Sequence, residues 1–254
     1  MSKLEKIAHG TADVLRAAAG KVKYQRTSAV IVAAGSSTRM GGVDKQFLEL
    51  GGMPVIARTV KAFEDCPAIS EIILMTKKES VLRLTELCRK YGFKKVKEIA
   101  EGGDTRQESV FKGLLLIDDS SKFIAIHDGA RCLITSEQIE EIVRVAHIYK
   151  AACAATRATD TVKFSEGGAF ISETLDREKV WLAQTPQIFG ANLYRAASYT
   201  ANEAKFNATD DCMLAERIKF NTIKTVECGK YNMKITTPDD IILAEAILAS
   251  RKKD

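Results

Sequence analysis

The stretch Ala33-Ala34-Gly35-Ser36-Ser37-Thr38-Arg39-Met40-Gly41-Gly42, followed by Lys45-Gln46, holds the residues best suited to chemistry. It comes after Ser28-Ala29-Val30-Ile31-Val32, an apolar, β-branched run that predicts a buried strand. A strand ending in small residues leaves backbone N–H groups open to a phosphate, and Arg39 and Lys45 add fixed positive charge just beyond. A phosphate chain needs both close donors and neutralising cations. A glycine-rich turn with solvated basic residues is the plainer alternative; it accounts for the glycines alone but not for the whole set.

Two common phosphate loops are excluded. Lys45 does not follow a glycine and is followed by Gln46, so Gly-x-x-x-x-Gly-Lys-Ser/Thr is absent. Ser37 stands where the dinucleotide fingerprint needs its second glycine.

The elements that must position this loop alternate. Helices are predicted at 55–64, 79–91, 106–117 and 136–149, the last capped by Ser136. Strands are predicted at 71–75, 96–100, 122–126 and 151–155. This βαβα rhythm predicts an α/β fold of the Rossmann-like kind, a mostly parallel, doubly wound sheet covered on both faces. Ligands in such sheets meet the carboxyl ends of the strands, which puts Gly35, Gly102 and Asp128 on one rim. The rhythm breaks at Asp160, where Thr161–Phe164 and Phe170–Leu175 flank a Gly-containing turn. That pattern predicts a projecting β-hairpin arm, at about 159–182. Helices resume near Ala191 and at Thr209, read as a cap. A strand at 232–236 leads into a helix starting at Pro238. Residues 1–27 read as an appended amphipathic helix and 28–254 as a single domain.

At 254 residues with net charge +5, the composition fits a globule with an anionic ligand. No basic stripe interleaved with aromatics suggests a polynucleotide, and no apolar run approaches the roughly 20 residues of a membrane span. The six cysteines form no C-x-x-C pair, which argues against zinc and for reduced thiols in a cytoplasmic setting. Cys132, beside Arg131, reads as a reactive thiol or as a small core residue.

Further motifs follow the loop in order: Gly102-Gly103-Asp104-x-Arg106-x-x-Ser109, His127-Asp128-x-Ala130-Arg131, Asp160-Thr161-Val162-Lys163, Thr185-Pro186-Gln187-x-Phe189, Thr209-Asp210, and Asn232-Met233-Lys234-Ile235-Thr236. Together they resemble the methylerythritol-phosphate cytidylyltransferases from about Ser28 to Ala249. The resemblance implies transfer of a cytidylyl group from CTP to a polyol phosphate, with Mg²⁺. It implies that Arg39 and Lys45 clamp the triphosphate and that Lys234 reaches the α-phosphate. Ala33, Ala34, Gly35 and Ser36 would form the phosphate loop; Gly102, Gly103, Asp104 and Ser109 the cytosine and ribose pocket, with Asp128 and Gly129 beside it.

Asp128 ends an apolar strand, where a carboxylate is costly unless paired or metal-bound. It reads as the Mg²⁺ ligand, or else as a salt bridge to Arg131 or a helix cap. Arg131, Arg157, Thr159, Asp160, Thr161, Thr209 and Asp210 would meet the polyol phosphate, the arm reaching a partner's site in a homodimer. The sequence departs from the family pattern at Ser37, Asp44, Gly129 and Cys132. It also has Thr159 where a basic residue is usual, leaving open whether Arg157 takes over. Thr185-Pro186-Gln187 reads as a rigid loop with no direct chemistry. Ribitol- or glycerol-phosphate cytidylyltransferases share several motifs and stand as the nearest alternative; a non-catalytic nucleotide-binding module and a dehydrogenase are more distant ones.

Overall fold

The computed structural model describes residues 24–35 and 44–251. Most of the expected N-terminal helix, together with Ser36, Ser37 and Arg39, lies outside them. Residues 24–26 carry no regular structure, and Thr27 already opens the first strand.

One seven-stranded sheet runs through the molecule. Its strands are β1 (Thr27–Val32), β4 (Glu71–Thr76), β5 (Val96–Glu101), β6 (Phe123–Asp128), β7 (Ala151–Arg157), β10 (Trp181–Gly190) and β11 (Lys224–Glu227), in the order β11-β7-β10-β6-β1-β4-β5. Two small hairpins stand apart: β2 (Glu49–Leu50) with β3 (Met53–Pro54), and β8 (Val162–Phe164) with β9 (Glu173–Leu175). Strand β1 is parallel to β4 and β6, β4 to β5, and β7 to β11. Only β10 runs against its neighbours, β6 and β7.

Alternation along β1 explains the layers. Ala29, Ile31 and Ala33 face a core shared with α1 (Val55–Asp65), α2 (Val81–Tyr91) and α4 (Ser136–Tyr149). Val30 faces the opposite core, against α3 (Arg106–Leu114), α5 (Ala191–Glu203) and α6 (Asp211–Arg217). Period-two burial on both faces is what a doubly covered strand requires. A smaller cluster packs α7 (Pro238–Arg251) over Leu50 and Ile235.

Several boundaries differ from the sequence reading. Helix α3 ends at Leu114, short of Ile117. The cap of α4 is Thr135, in a capping box with Gln138, not Ser136. The cap of α6 is Asp210, whose carboxylate accepts from the Met213 amide, not Thr209. Asn232–Thr236 is no strand: its backbone is pinned by loop contacts instead. Thr185-Pro186-Gln187 is no loop: it lies in β10, with a cis Thr185–Pro186 bond and a register shift between Ala183 and Gln187. The shift lets a strand interior take a proline that has no N–H to give.

Candidate active site

The carboxyl ends of β1, β5 and β6 open on a cleft of about 460 Å³. Among its lining ionisable groups, Lys45, Lys77, Arg106 and Lys234 are cations, and Asp104 and Asp128 are acids. The excess of positive charge suits a polyanion.

Asp128 is the centre of this arrangement. Its Oδ1 accepts from Arg106 Nε at 2.8 Å, and its Oδ2 pairs with Lys234 Nζ at 2.9 Å and Arg131 Nε at 3.6 Å. Burial alone would raise its pKa, but Arg106 and Lys234 hold it well below the usual carboxylate range. It is therefore an anion wrapped in cations.

The two lysines are brought together through backbone. Lys45 Nζ donates to the Ile235 carbonyl at 2.9 Å, one residue past Lys234. The segment carrying Lys234 is fixed by Ile235 N to Ala130 O at 2.9 Å and by Arg131 Nη1 to Asn232 O at 2.8 Å. The Asn232 amide in turn donates to Gln184 Oε1 and the Thr185 carbonyl. This web, rather than a sheet ladder, is what holds Asn232-Met233-Lys234-Ile235 in place.

The small residues of the rim are needed for close approach. A Cβ on Gly102 would lie 2.6 Å from Ser109 Oγ and 2.7 Å from Ala34 Cβ. One on Gly103 would lie 2.3 Å from Glu108 Cβ, inside the Thr105–Glu108 capping box that starts α3. Ser109 Oγ is spent within the turn, accepting from Gly103 N and donating to Thr105 O. Ala34, Gly35, Gly103, Asp104 and Ser109 line the cleft. Ala33 sits one step behind, bonded to Met75 O at 2.7 Å.

Gly129 faces the core instead. Its N–H goes to Val32 O and its carbonyl accepts from Thr59 Oγ1. A Cβ there would stand 3.0–3.1 Å from Ile56, Gln46 and Val32 O.

A family profile described as 2-C-methyl-D-erythritol 4-phosphate cytidylyltransferase matches residues 27–250. The chain belongs to that family. A relative of that name from Caldanaerobacter subterraneus subsp. tengcongensis is 42% identical over 227 residues, covering 87% of this chain and 98% of the relative. One from Geobacillus kaustophilus is 40% identical, covering 88% and 97%. The solved 4-diphosphocytidyl-2C-methyl-D-erythritol synthase of Anaerococcus prevotii superposes with a TM-score of 0.81 at 32% identity, over 89% of this chain and 96% of that one.

The family's His-Asp motif divides its labour. His127 is fully buried, with Nδ1 3.1 Å from Thr185 Oγ1 and Nε2 3.3 Å from the Arg131 carbonyl. Burial, aided by Arg131 and Arg106 against the pull of Asp128, pushes its pKa down to about 3. It is neutral at physiological pH and orients the loop. Thr185 Oγ1 also accepts from the Asp128 amide at 3.0 Å, so the strand read as chemically silent holds the central carboxylate in place.

The substrate-phosphate candidates are mixed. Thr209 is exposed, but the amides after it are taken. Asp211 N and Cys212 N both donate to Gln187 Oε1 at 2.9 Å, and Met213 N to Asp210 Oδ1. The remaining Asp210 oxygen accepts from Gln187 Nε2. The expected open helix start is thus closed by its own caps. Thr159, Asp160 and Thr161 lie exposed at the base of the arm. Arg157 stacks on Trp181 at 4.3 Å and donates to the Glu178 carbonyl. The guanidinium that reaches Thr159 is that of Arg177, through Nη1 to Thr159 O at 3.0 Å. Arg177 was absent from the sequence-derived site, because its nearness to Thr159 exists only once the hairpin folds back.

Arg106 and Asp211 were also missed. Arg106 Nη2 donates to Asp211 Oδ2 at 2.8 Å, across more than a hundred residues, while Asp211 Oδ1 accepts from Tyr194 at 2.6 Å. Only the folded chain brings them together.

Among the described residues, no group of three or more His, Cys, Asp or Glu side chains is placed to hold a metal. Asp128 is a single carboxylate with cations on both oxygens, so these residues make no resident Mg²⁺ site. They do suit Mg²⁺ that enters as part of a metal–nucleotide substrate, where phosphate oxygens supply most ligands.

Proposed function

We infer that this protein is a cytidylyltransferase that joins CTP and 2-C-methyl-D-erythritol 4-phosphate. The products are 4-diphosphocytidyl-2-C-methyl-D-erythritol and pyrophosphate. The observation that carries the reading is the convergence of Lys45, Lys234 and Asp128 on a small-residue rim in a chain of this family.

A phosphate-monoester oxygen attacks the α-phosphorus of CTP, forming a new P–O bond as the bond to pyrophosphate breaks. With a second pKa near ~6, the monoester is already largely dianionic at neutral pH, so no general base is needed. The neutral, enclosed His127 agrees with that. Catalysis then rests on positioning and on neutralising charge around phosphorus. Lys45 and Lys234 supply the charge, and Arg39, which lies outside the described residues, is the third cation that the family resemblance implies. Lys234 is half-exposed and rests on Asp128; a triphosphate offers it a competing anion. Mg²⁺ enters with CTP, and Asp104 and Asp128 are the carboxylates that line the cleft it would enter.

Arg131 and Thr209 on one protomer, and Thr159–Thr161 with Arg177 on its partner's arm, take the polyol phosphate. A homodimer in the cytoplasm is the corresponding assembly. The chemistry alone also fits ribitol or glycerol phosphate. A coupled pyrophosphate assay with CTP and each of the three polyol phosphates, with and without EDTA, tests the reading. Mg²⁺-dependent release only with methylerythritol phosphate supports it, and release with another polyol phosphate instead overturns it.

A further inference from the structure

Two consecutive side chains at the start of α3 leave the nucleotide rim and cross to the segment that carries Thr209. Arg106 holds Asp128 with Nε and Asp211 with Nη2, each at 2.8 Å. Gln107 donates through Nε2 to the Phe206 carbonyl and accepts from the Ala208 amide through Oε1, again each at 2.8 Å. Both bridges therefore end on residues 206–211, on either side of Thr209.

The far ends are themselves immobilised. Asp211 is 1% exposed, with its second oxygen on Tyr194 and its amide on Gln187. The near ends belong to the turn that lines the cleft, since Arg106 directly follows Thr105 of the capping box. A guanidinium with two carboxylates in a planar fork fixes direction as well as distance, which a lysine does not do.

We propose that Arg106 and Gln107 are positioning residues that tie the nucleotide rim to the Thr209 segment, so that binding of CTP sets where the second substrate's phosphate is received. This rests on the cytidylyltransferase reading for its substrates but not for its mechanics. Gln107 is not among the residues that line the cleft. Its two bonds serve only the segment 206–208.

The test uses the full-length protein with Gln107→Leu, which keeps side-chain bulk and loses both bonds, and Arg106→Lys, which keeps charge and loses the fork. Hydrogen exchange of amides 206–213 is followed with and without Mg²⁺ and CTP, alongside KM for methylerythritol phosphate and Kd for CTP. In the wild type, CTP should slow exchange across 206–213. In both variants that response should vanish. In Gln107→Leu, KM for the polyol phosphate should rise about tenfold while Kd for CTP changes less than about twofold, within the range of ordinary site-to-site coupling. A merely structural role predicts equal loss for both substrates, or loss of melting temperature with no split; either overturns the proposal. So does a CTP response that survives in both variants. If the wild type transfers nothing to methylerythritol phosphate yet shows the exchange response, the substrate assignment falls and the coupling stands.

Discussion

Charge neutralisation at this site is distributed unevenly, and the unevenness says which residue each measurement should move. Lys45, Arg106 and Lys234 line the cleft; Lys234, Arg106 and Arg131 all pair with Asp128, while Lys45 bonds the Ile235 carbonyl. Lys45→Ala and Lys234→Ala are expected to lower kcat by ~10²–10³, with smaller losses in CTP affinity, because charge on phosphorus peaks in the transition state. Steady-state kinetics with circular dichroism as a fold control checks this; near-normal kcat in either variant removes that lysine from the mechanism. Asp128→Asn has a different signature. It leaves three cations facing one another, so it should cost stability, by about 3 kcal/mol on the scale of a broken buried pair, as well as activity.

A second residue-scale consequence concerns acid. The folded pKa of His127 is pushed down to about 3 and that of His147 to about 4, both chiefly by burial, against 6.5 in an unfolded chain. A depressed pKa means that the stabilisation is complete above 6.5 and is lost as pH falls, since the unfolded chain takes up the proton first. His127 alone gives a slope approaching one proton, ~1.4 kcal/mol per pH unit, between about 6.5 and 3. His147 adds in the same direction down to about 4. Urea unfolding at pH 7, 6 and 5 should show stability dropping, and His127→Gln should reduce the slope to the share of His147. A wild-type profile level from pH 7 to 5 would contradict the assignment.

At the scale of elements, the strand that mattered most was the one hardest to read. The parallel core was legible because β1, β4 and β6 are β-branched runs with burial on both faces. Strand β10 was hidden because Pro186 reads as a breaker in isolation, and only the register shift against β7 accommodates it. The Asn232–Ile235 segment misled in the opposite sense: Met233 and Ile235 alternate like a strand, yet its backbone is held by the Arg131 side chain and the Ala130 carbonyl and not by a ladder. Of the site, the rim glycines, Lys45, Asp128 and Lys234 were visible as local motifs. Arg106 to Asp211 and Arg177 to Thr159 were not, since nothing local encodes a contact made by tertiary folding.

Gln187 shows what β10 contributes. One carbonyl oxygen caps two amides of α6 while the amide group holds Asp210. Gln187→Ala should strand two buried donors and destabilise the protein by about 2–4 kcal/mol, at 1–3 kcal/mol per unsatisfied group less local relaxation. Chemical denaturation measures it; a change under about 0.5 kcal/mol would mean that water replaces the side chain without cost.

For the whole molecule, the arm poses the question of what it packs against. Its two strands are three residues each, and Phe170 and Ile171 are 89% and 63% exposed within one chain. A two-stranded ribbon of that kind is marginal alone in water. Its base is nonetheless organised: Arg157 is stacked on Trp181, and Arg177 is fastened to the Thr159 carbonyl. A rigid base with an apolar, unpaired tip suits insertion into a second copy about a two-fold axis, each arm completing the other's site. Deleting Phe164 to Ile171 removes the apolar tip and leaves Thr159–Thr161, Arg177 and the CTP cleft in the chain. The deleted protein should sediment as a monomer and bind CTP as the wild type does. It should transfer no cytidylyl group at any protein concentration, because the base of the arm then has no neighbour's cleft to face. Sedimentation velocity, CTP calorimetry and the pyrophosphate assay on one preparation decide it. A monomeric deletion variant with full activity, or an intact chain that is active as a monomer, would return the polyol-phosphate site to a single protomer.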